Sequence, residues 1–190
     1  MNILLLGPQG AGKGTQARRI AADYGLPHIA TGDMLRASIA AGDPLGVSAI
    51  LDEGRLVPDD VMIELIRERL ARPDAEAGFV LDGFPRTMAQ AEALDATLRE
   101  IDRPLDLVLE LRVPDAVAVE RLRRRAELEG RPDDTPEAIR RRLRLYHEET
   151  EPLVEYYRTR GNVVGIHGDR SENEVFSEIQ QALEQAGVVA

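Results

Sequence analysis

Near its amino terminus the chain reads Ile3-Leu4-Leu5-Leu6-Gly7-Pro8-Gln9-Gly10-Ala11-Gly12-Lys13-Gly14-Thr15, an apolar run that passes into a glycine-rich turn. The apolar run offers no polar face to water, which is the pattern of a strand covered on both sides and so of a central strand in a parallel sheet. The glycines let backbone N–H groups converge on phosphate oxygens without a Cβ in the way. The helix that follows presents its positive end, and Lys13 reaches the outer phosphates of a nucleotide. This is a P-loop with one variation: Gly14 follows the lysine where the strict pattern has Ser or Thr, and the hydroxyl comes one residue later, from Thr15. Of the 24 basic residues one is a lysine, Lys13, and all the others are arginine, so the chain has kept its single ammonium in this turn.

Further apolar runs at residues 27–30, 79–81, 105–113 and 163–166 predict four more strands. Between them, sets such as Ile20, Ala21 and Tyr24, or Ala91, Leu94 and Leu98, fall at helical spacing. Strands alternating with helices imply right-handed crossovers and an α/β fold, a doubly wound five-stranded parallel sheet flanked by helices. Residues 171–186 read as a helix with Ser171 as N-cap, Glu174 completing a capping box and Gly187 ending it. Two stretches depart from simple crossovers. Residues 30–61 hold helical pieces (34–40 and 45–53) broken at Gly42-Asp43-Pro44 and Gly54, which predicts an inserted helical flap. Residues 126–136 are polar and hold Gly130, Pro132 and Pro136, which predicts a mobile, positively charged loop.

With 190 residues the chain is expected to form one domain burying about 70% of its unfolded surface. A net charge of −10 argues against a general nucleic-acid or anionic-membrane binder. The absence of cysteine closes the disulfide, zinc-thiolate, iron–sulfur and thiol-nucleophile classes. Neither a secretory leader nor a membrane span is indicated, and the expected address is the cytoplasm. Asp82 ends the apolar run Phe79-Val80-Leu81, the placement that holds Mg²⁺, directly or through water, beside a P-loop.

Five segments in order, GPQGAGKGTQA (7–17), ATGDMLR (30–36), EGRLVPDD (53–60), LDGFPRTMAQ (81–90) and GRPDDTPEAIRRRL (130–143), resemble the adenylate kinase family over nearly the whole chain. The resemblance implies reversible phosphoryl transfer from Mg·ATP to AMP, giving two ADP. It divides the chain into a core (about 1–29, 58–125 and 137–190), an AMP-binding flap (about 30–57) and a lid (about 126–136). By the same matching, Gly10, Ala11, Gly12, Lys13, Gly14 and Thr15 hold the ATP phosphates, Arg121 lies nearer the ATP base, and Arg170 meets the adenine through its backbone. Arg36 and Arg86 hold the AMP phosphate, while Thr31, Val57 and Gln90 meet its base, with Arg55, Leu56, Gly83, Phe84 and Pro85 completing the acceptor site. Arg125, Arg131 and Arg142 come in with the lid to clamp the transferring group, acting with Lys13 and Arg86 in catalysis. The partners implied are ATP, AMP and ADP, with no nucleic acid and no membrane, and a monomer is expected.

Two departures from the family pattern stand out. Gln9 replaces the usual Pro, which touches loop stiffness more than ligands. Residues 126–130 are all that separate Arg125 from Arg131, a short lid without the cysteines of zinc-bearing long ones, so no structural zinc is expected. An AMP phosphate has its second pKa near 6, so the acceptor oxygen is already an anion and needs no general base. His28, His147 and His167, with no carboxylate or metal spacing beside them in sequence, read as packed or surface residues. Arg121 and Arg125 share one helix face and can converge on a ligand, whereas Arg123, Arg124, Arg140 and Arg144 read as a solvated face pairing with Glu127, Glu137 and Glu148. No aromatic residue lies among residues 121–144, against a nucleic-acid surface.

A uridylate or cytidylate kinase would share the same cradle, but the positions matching Thr31 and Gln90 resemble Ala and Asn there. A GTP-binding switch needs an Asn-Lys-x-Asp motif that a single lysine at position 13 forbids, and the strand lysine and HRD loop of a protein kinase are absent. A non-catalytic nucleotide sensor would keep the cradle but need not keep the acceptor arginines.

Overall fold

A computed structural model describes residues 1–130, 134–161 and 163–187. The five expected strands are present as β1 (Asn2–Leu6), β2 (His28–Ala30), β3 (Phe79–Asp82), β4 (Leu107–Arg112) and β5 (Val163–His167). They form one sheet in the order β2-β3-β1-β4-β5, every neighbouring pair parallel. β1 sits in the middle, Ile3 pairing with Val80 on one side and Leu107 on the other. Its apolar run is explained by the two cores it feeds. Leu4 and Leu6 join Phe79, Leu81, Leu94 and Leu153 on one face, while Ile3 and Leu5 join Ile20, Val80, Leu109 and Ile179 on the other. A strand whose alternate residues enter different cores has to be apolar throughout.

The helices are α1 (Lys13–Tyr24), α2 (Thr31–Ala40), α3 (Ser48–Asp52), α4 (Asp59–Leu70), α5 (Met88–Glu100), α6 (Asp115–Glu129), α7 (Pro136–Leu145), α8 (Pro152–Arg158) and α9 (Glu172–Gln185). A π-helical turn, Tyr146–Thr150, joins α7 to α8. α1 and α9 cover one face of the sheet and α4, α5 and α8 the other. Chains leaving the adjacent strands β1 and β3 therefore turn to opposite faces, opening a crevice at their carboxyl ends, where open α/β sheets place their ligands. Among the described residues no helix is long and apolar enough to cross a membrane.

The capping box of α9 is formed as expected: Ser171 Oγ accepts from the Glu174 N–H and the Glu174 carboxylate accepts from the Ser171 N–H. Two elements differ from expectation. The helix expected from residue 45 begins at Ser48, because Asp43, in left-handed conformation at φ 56°, accepts from the Val47 N–H at 2.8 Å and from the Ser48 N–H at 3.2 Å. These bonds hold residues 43–47 as a turn. The loop expected from residue 126 is helical as far as Glu129. Residues 126–129, Ala-Glu-Leu-Glu, are good helix formers, and Glu127 and Leu128 face solvent, Leu128 being 75% exposed. The rest of that expected loop falls partly on residues 131–133, outside the described residues.

Candidate active site

The glycine-rich turn leaves β1 and wraps against β4 and α6. At Gly10 (φ 85°) a Cβ would stand 2.5 Å from the Ala118 carbonyl oxygen of α6, so no other residue fits there. α1 opens on Lys13 with no side-chain cap and no acid in its first turn, which leaves its N–H groups to an outside acceptor. Gly12, Lys13, Gly14 and Thr15 thus form an anion-facing helix start, with Ala11 buried behind it. Lys13 folds over the turn and donates to the carbonyl oxygens of Gly7 at 2.6 Å and Pro8 at 2.9 Å. Burial pulls its ammonium down from the ordinary lysine value to about 8, the nearby Asp82 carboxylate opposing this and Arg86 and Arg125 adding to it.

On the next strand, burial pushes the Asp82 carboxyl up, but His28, Lys13 and Arg86 more than offset it and hold it below the ordinary carboxylate range. A Cβ at Gly14 would lie 3.5 Å from Asp82 Oδ2, which sets this ionised oxygen against the first turn of α1. Among the described residues no group of three or more His, Cys, Asp or Glu could share a metal ion. A single hard oxygen donor suits Mg²⁺, which keeps most of its waters and takes its other ligands from phosphates.

After Asp82 the chain turns through Gly83 and a cis Phe84-Pro85 bond to Arg86. Gly83 (φ 87°) lies so close to the buried Thr31 that a Cβ would come within 2.4 Å of Thr31 Oγ1. Arg86 donates from Nε to the Gly83 carbonyl at 2.8 Å, and its own carbonyl accepts from Thr150 Oγ1 at 2.9 Å. The Arg86 guanidinium is lowered to about 10, chiefly by burial and also by the charges of Arg142 and Arg36, with Asp82 opposing them. Cations crowded in this way are a site for a polyanion.

A cavity joins the two halves, lined by Gly7, Gln9 and Lys13 from the first turn, Gly83, Phe84, Pro85 and Arg86 from the second, Leu56 from the helical insertion and Arg142 from α7. No histidine lines it. A model of the adenylate kinase family matches residues 5–162. The chain belongs to the adenylate kinase family. An adenylate kinase of Cyanothece sp. is 49% identical over 185 residues, covering 96% of this chain and 95% of its own. One of Xanthomonas campestris is 47% identical over 185 residues (96% and 99%), and one of Archaeoglobus fulgidus 43% over 214 aligned positions (97% and 99%). As in other members of the adenylate kinase family, the reaction is reversible phosphoryl transfer between adenine nucleotides.

The remaining expected residues are placed as follows. Arg121 donates to the Gly168 carbonyl at 2.8 Å, fastening α6 to the segment after β5 beside the glycine-rich turn. The Arg170 side chain lies along α9, 3.7 Å from Glu178. Arg36 donates to Asp33 at 2.6 Å and Arg55 to Glu53 at 2.6 Å, while Val57 is buried in the core and offers a ligand only its backbone. The Gln90 amide is 2% exposed and engaged at both ends, by the Arg86 N–H and by Asp59. Arg125 and Arg142 meet on one carboxylate, Asp134, whose side chain has 0% exposure: two bonds from Arg125 at 2.8 and 2.9 Å, one from Arg142 at 2.7 Å. Arg131 lies outside the described residues.

Asp134 and Asp59 were not singled out from the sequence. The signal for Asp134 was present, an acid inside a run of arginines, and composition alone made it a loop residue. Each of the three histidines, none of which lines the cavity, stands by a carboxylate. His28 Nε2 is 3.8 Å from Asp82, His147 bonds to Asp115 at 3.0 Å and Glu151 at 2.9 Å, and His167 bonds to Glu178 at 2.8 Å. Asp82, Asp115 and Glu178 come from other elements, so spacing along the chain gave no sign of them, whereas Glu151 stands four residues after His147 and was within reach of the sequence. The solvated arginines hold in part, Arg140 pairing with Glu137 at 2.9 Å and Arg144 with Glu148 at 4.0 Å.

The Lys13 titration has a measurable consequence. Its folded value of about 8 lies below the lysine reference of 10.5, so the charge is present at neutral pH and lost as pH rises through about 8. The free-enzyme profile of kcat/KM for ATP should fall on that alkaline side. The kcat profile should fall at higher pH, because a bound polyphosphate favours the ammonium. A kcat/KM for ATP that stays flat between pH 7 and about 9.5 would remove the Lys13 charge from ATP capture.

Proposed function

We propose that the chain transfers the terminal phosphoryl group of Mg·ATP to AMP, closing an inserted flap (about 30–57) and a short lid (about 126–136) over the pair on a core formed by the rest. The observation that carries this reading is that Lys13 and Arg86, both part-buried cations with lowered pKa values, line one cavity. A donor's phosphates on Lys13 and an acceptor's phosphate on Arg86 would face each other across it.

In this reading the N–H groups of Gly10, Ala11, Gly12, Lys13, Gly14 and Thr15 hold the donor phosphates, and Arg121 and the Arg170 backbone border its base. Arg36 and Arg86 hold the acceptor phosphate; Thr31, Val57 and Gln90 read its base, with Arg55, Leu56, Gly83, Phe84 and Pro85 around it. Arg125, Arg131 and Arg142 neutralise charge as the phosphoryl group moves. Because the acceptor oxygen is ionised at neutral pH, the protein's work is to hold two polyanions in line and exclude water, and no side chain need take a proton. The ionised Asp82 would hold Mg²⁺ through water, and the ion would supply positive charge to offset that of the donor phosphates. The same reading has the chain act as a monomer in the cytoplasm on ATP, AMP and ADP, with no nucleic-acid or membrane partner, in keeping with its net charge of −10.

The test is ADP formation from ATP with AMP, with CMP or UMP, and from ATP alone. A pyrimidine would leave buried polar groups mispaired at about 1–3 kcal/mol each, so AMP should be preferred at least about a hundredfold in kcat/KM. Gln90→Leu should raise the KM for AMP and shrink that preference while sparing the KM for ATP. Equal use of CMP by the wild type would turn the assignment to a pyrimidine-nucleotide kinase. ADP release from ATP alone at the same rate would turn it to a hydrolase.

A further inference from the structure

Gln90 is held at its two polar ends by groups that each have only one kind of hydrogen-bonding capacity. Its Oε1 accepts from the Arg86 backbone N–H at 2.8 Å, and its Nε2 donates to Asp59 Oδ1 at 2.7 Å. A peptide N–H can only donate and an ionised carboxylate can only accept. Turning the amide end for end would therefore set donor against donor and acceptor against acceptor, in a side chain 2% exposed. What these bonds leave over, one N–H and one carbonyl lone pair, is kept in a fixed order.

Asp59 is built into both elements that border the acceptor site. It is the first residue of α4, two positions after Val57, and its Oδ1 also accepts from Thr87 Oγ1 at 3.0 Å. The Thr87 hydroxyl in turn caps α5 by accepting from the Gln90 N–H. One carboxylate oxygen thus fixes the cap of α5, the amide one turn into it, and the end of the helical insertion.

We infer that Asp59 is a positioning residue which, through its bond to Gln90 Nε2, sets the order in which that amide presents donor and acceptor to the acceptor base, and so helps select adenine over a pyrimidine. This rests on the proposed base-reading role of Gln90. With Asp59 removed, the amide loses the partner that requires its Nε2, and adenine meets a side chain whose two ends are less well ordered.

The experiment measures kcat/KM for AMP and for CMP, with KM for ATP as an internal reference, in Asp59→Ala, Asp59→Asn, Asp60→Ala and Gln90→Leu. Asp59→Ala should lower the AMP-to-CMP ratio by about tenfold or more, mainly through the KM for AMP, and leave the KM for ATP within about twofold. Asp59→Asn keeps an acceptor oxygen of the same reach but adds a donor, and should give an intermediate ratio, lowered about threefold; it decides the matter if the alanine variant is too unstable to assay. Asp60→Ala removes a neighbouring charge from the same first turn of α4 and should leave the ratio unchanged. An unchanged ratio in Asp59→Ala (or in Asp59→Asn, where that variant decides) with a collapsed ratio in Gln90→Leu would overturn the role of Asp59. So would an Asp60→Ala variant matching Asp59→Ala. An unchanged ratio in Gln90→Leu would instead overturn the base-reading role, and this proposal with it.

Discussion

Turnover of Lys13→Arg is expected to be lower than wild type by about 10²- to 10³-fold, with the melting temperature within a few degrees. Lys13 Nζ reaches the carbonyls of Gly7 and Pro8 within 2.9 Å of each, inside a turn built to bring backbone close. An ammonium is a compact charge whose donors can point in several directions. A guanidinium is planar, longer and committed to a fork, so it cannot take up the same place and still face a phosphate. Lys13 belongs to neither core cluster, which is why the fold should be spared. The chain's general use of arginine sharpens the test, because the substitution merely installs its preferred cation. Steady-state kcat at saturating ATP and AMP, with a thermal melt on the same sample, is the measurement. More than about half of wild-type activity would take Lys13 out of the mechanism.

Asp134→Ala is expected to damage both stability and turnover. Its carboxylate receives two bonds from Arg125 and one from Arg142, and it has no solvent exposure of its own. Removing one member of a buried ionic group costs about 3–5 kcal/mol, and the low end applies because Arg125 is partly exposed and Arg142 keeps its bond to the Leu51 carbonyl. For a chain of this length about 3 kcal/mol corresponds to a melting temperature lower by roughly 6–12 °C. The two guanidiniums would then repel each other, and if they act as the proposed clamp on the phosphoryl group they lose its alignment, so kcat should fall about tenfold or more. Asp134→Asn, which keeps the shape and loses the charge, should fall between. A melting temperature unchanged to within about 2 °C in the alanine variant would show that the arginines find other partners and that Asp134 does not organise them.

The same carboxylate shows how far reading along the chain can go in this region. Residues 121–144 were readable as arginine-rich, and Arg121 and Arg125 as sharing one helix face, while Arg142 joined Arg125 only through the family resemblance. The acid that joins them read as one polar residue among several. In the same way Gln90 was legible as an amide with suitable capacity for a base, while its two fixed partners were not, since one is a backbone N–H and the other a carboxylate 31 positions away.

Features that depend on a residue and its near neighbours were present in the chain itself. The apolar run from Ile3 to Leu6 required a strand covered on both faces, the glycines around Lys13 required a turn open to phosphate, and Ser171 with Glu174 closed a capping box, because pleat, dihedral freedom and caps act over a few residues. The pairing of charged groups is different in kind. Whether His147 meets Asp115, whether Asp59 meets Gln90, and whether Arg125 and Arg142 share Asp134 depend on distances set by how the elements pack around the sheet. A carboxylate three ångströms away and one thirty ångströms away look the same in sequence. Hydrogen bonds need partners about 3 Å apart and charges act most strongly at close range, so packing selects which of the chain's many arginines and acids act together.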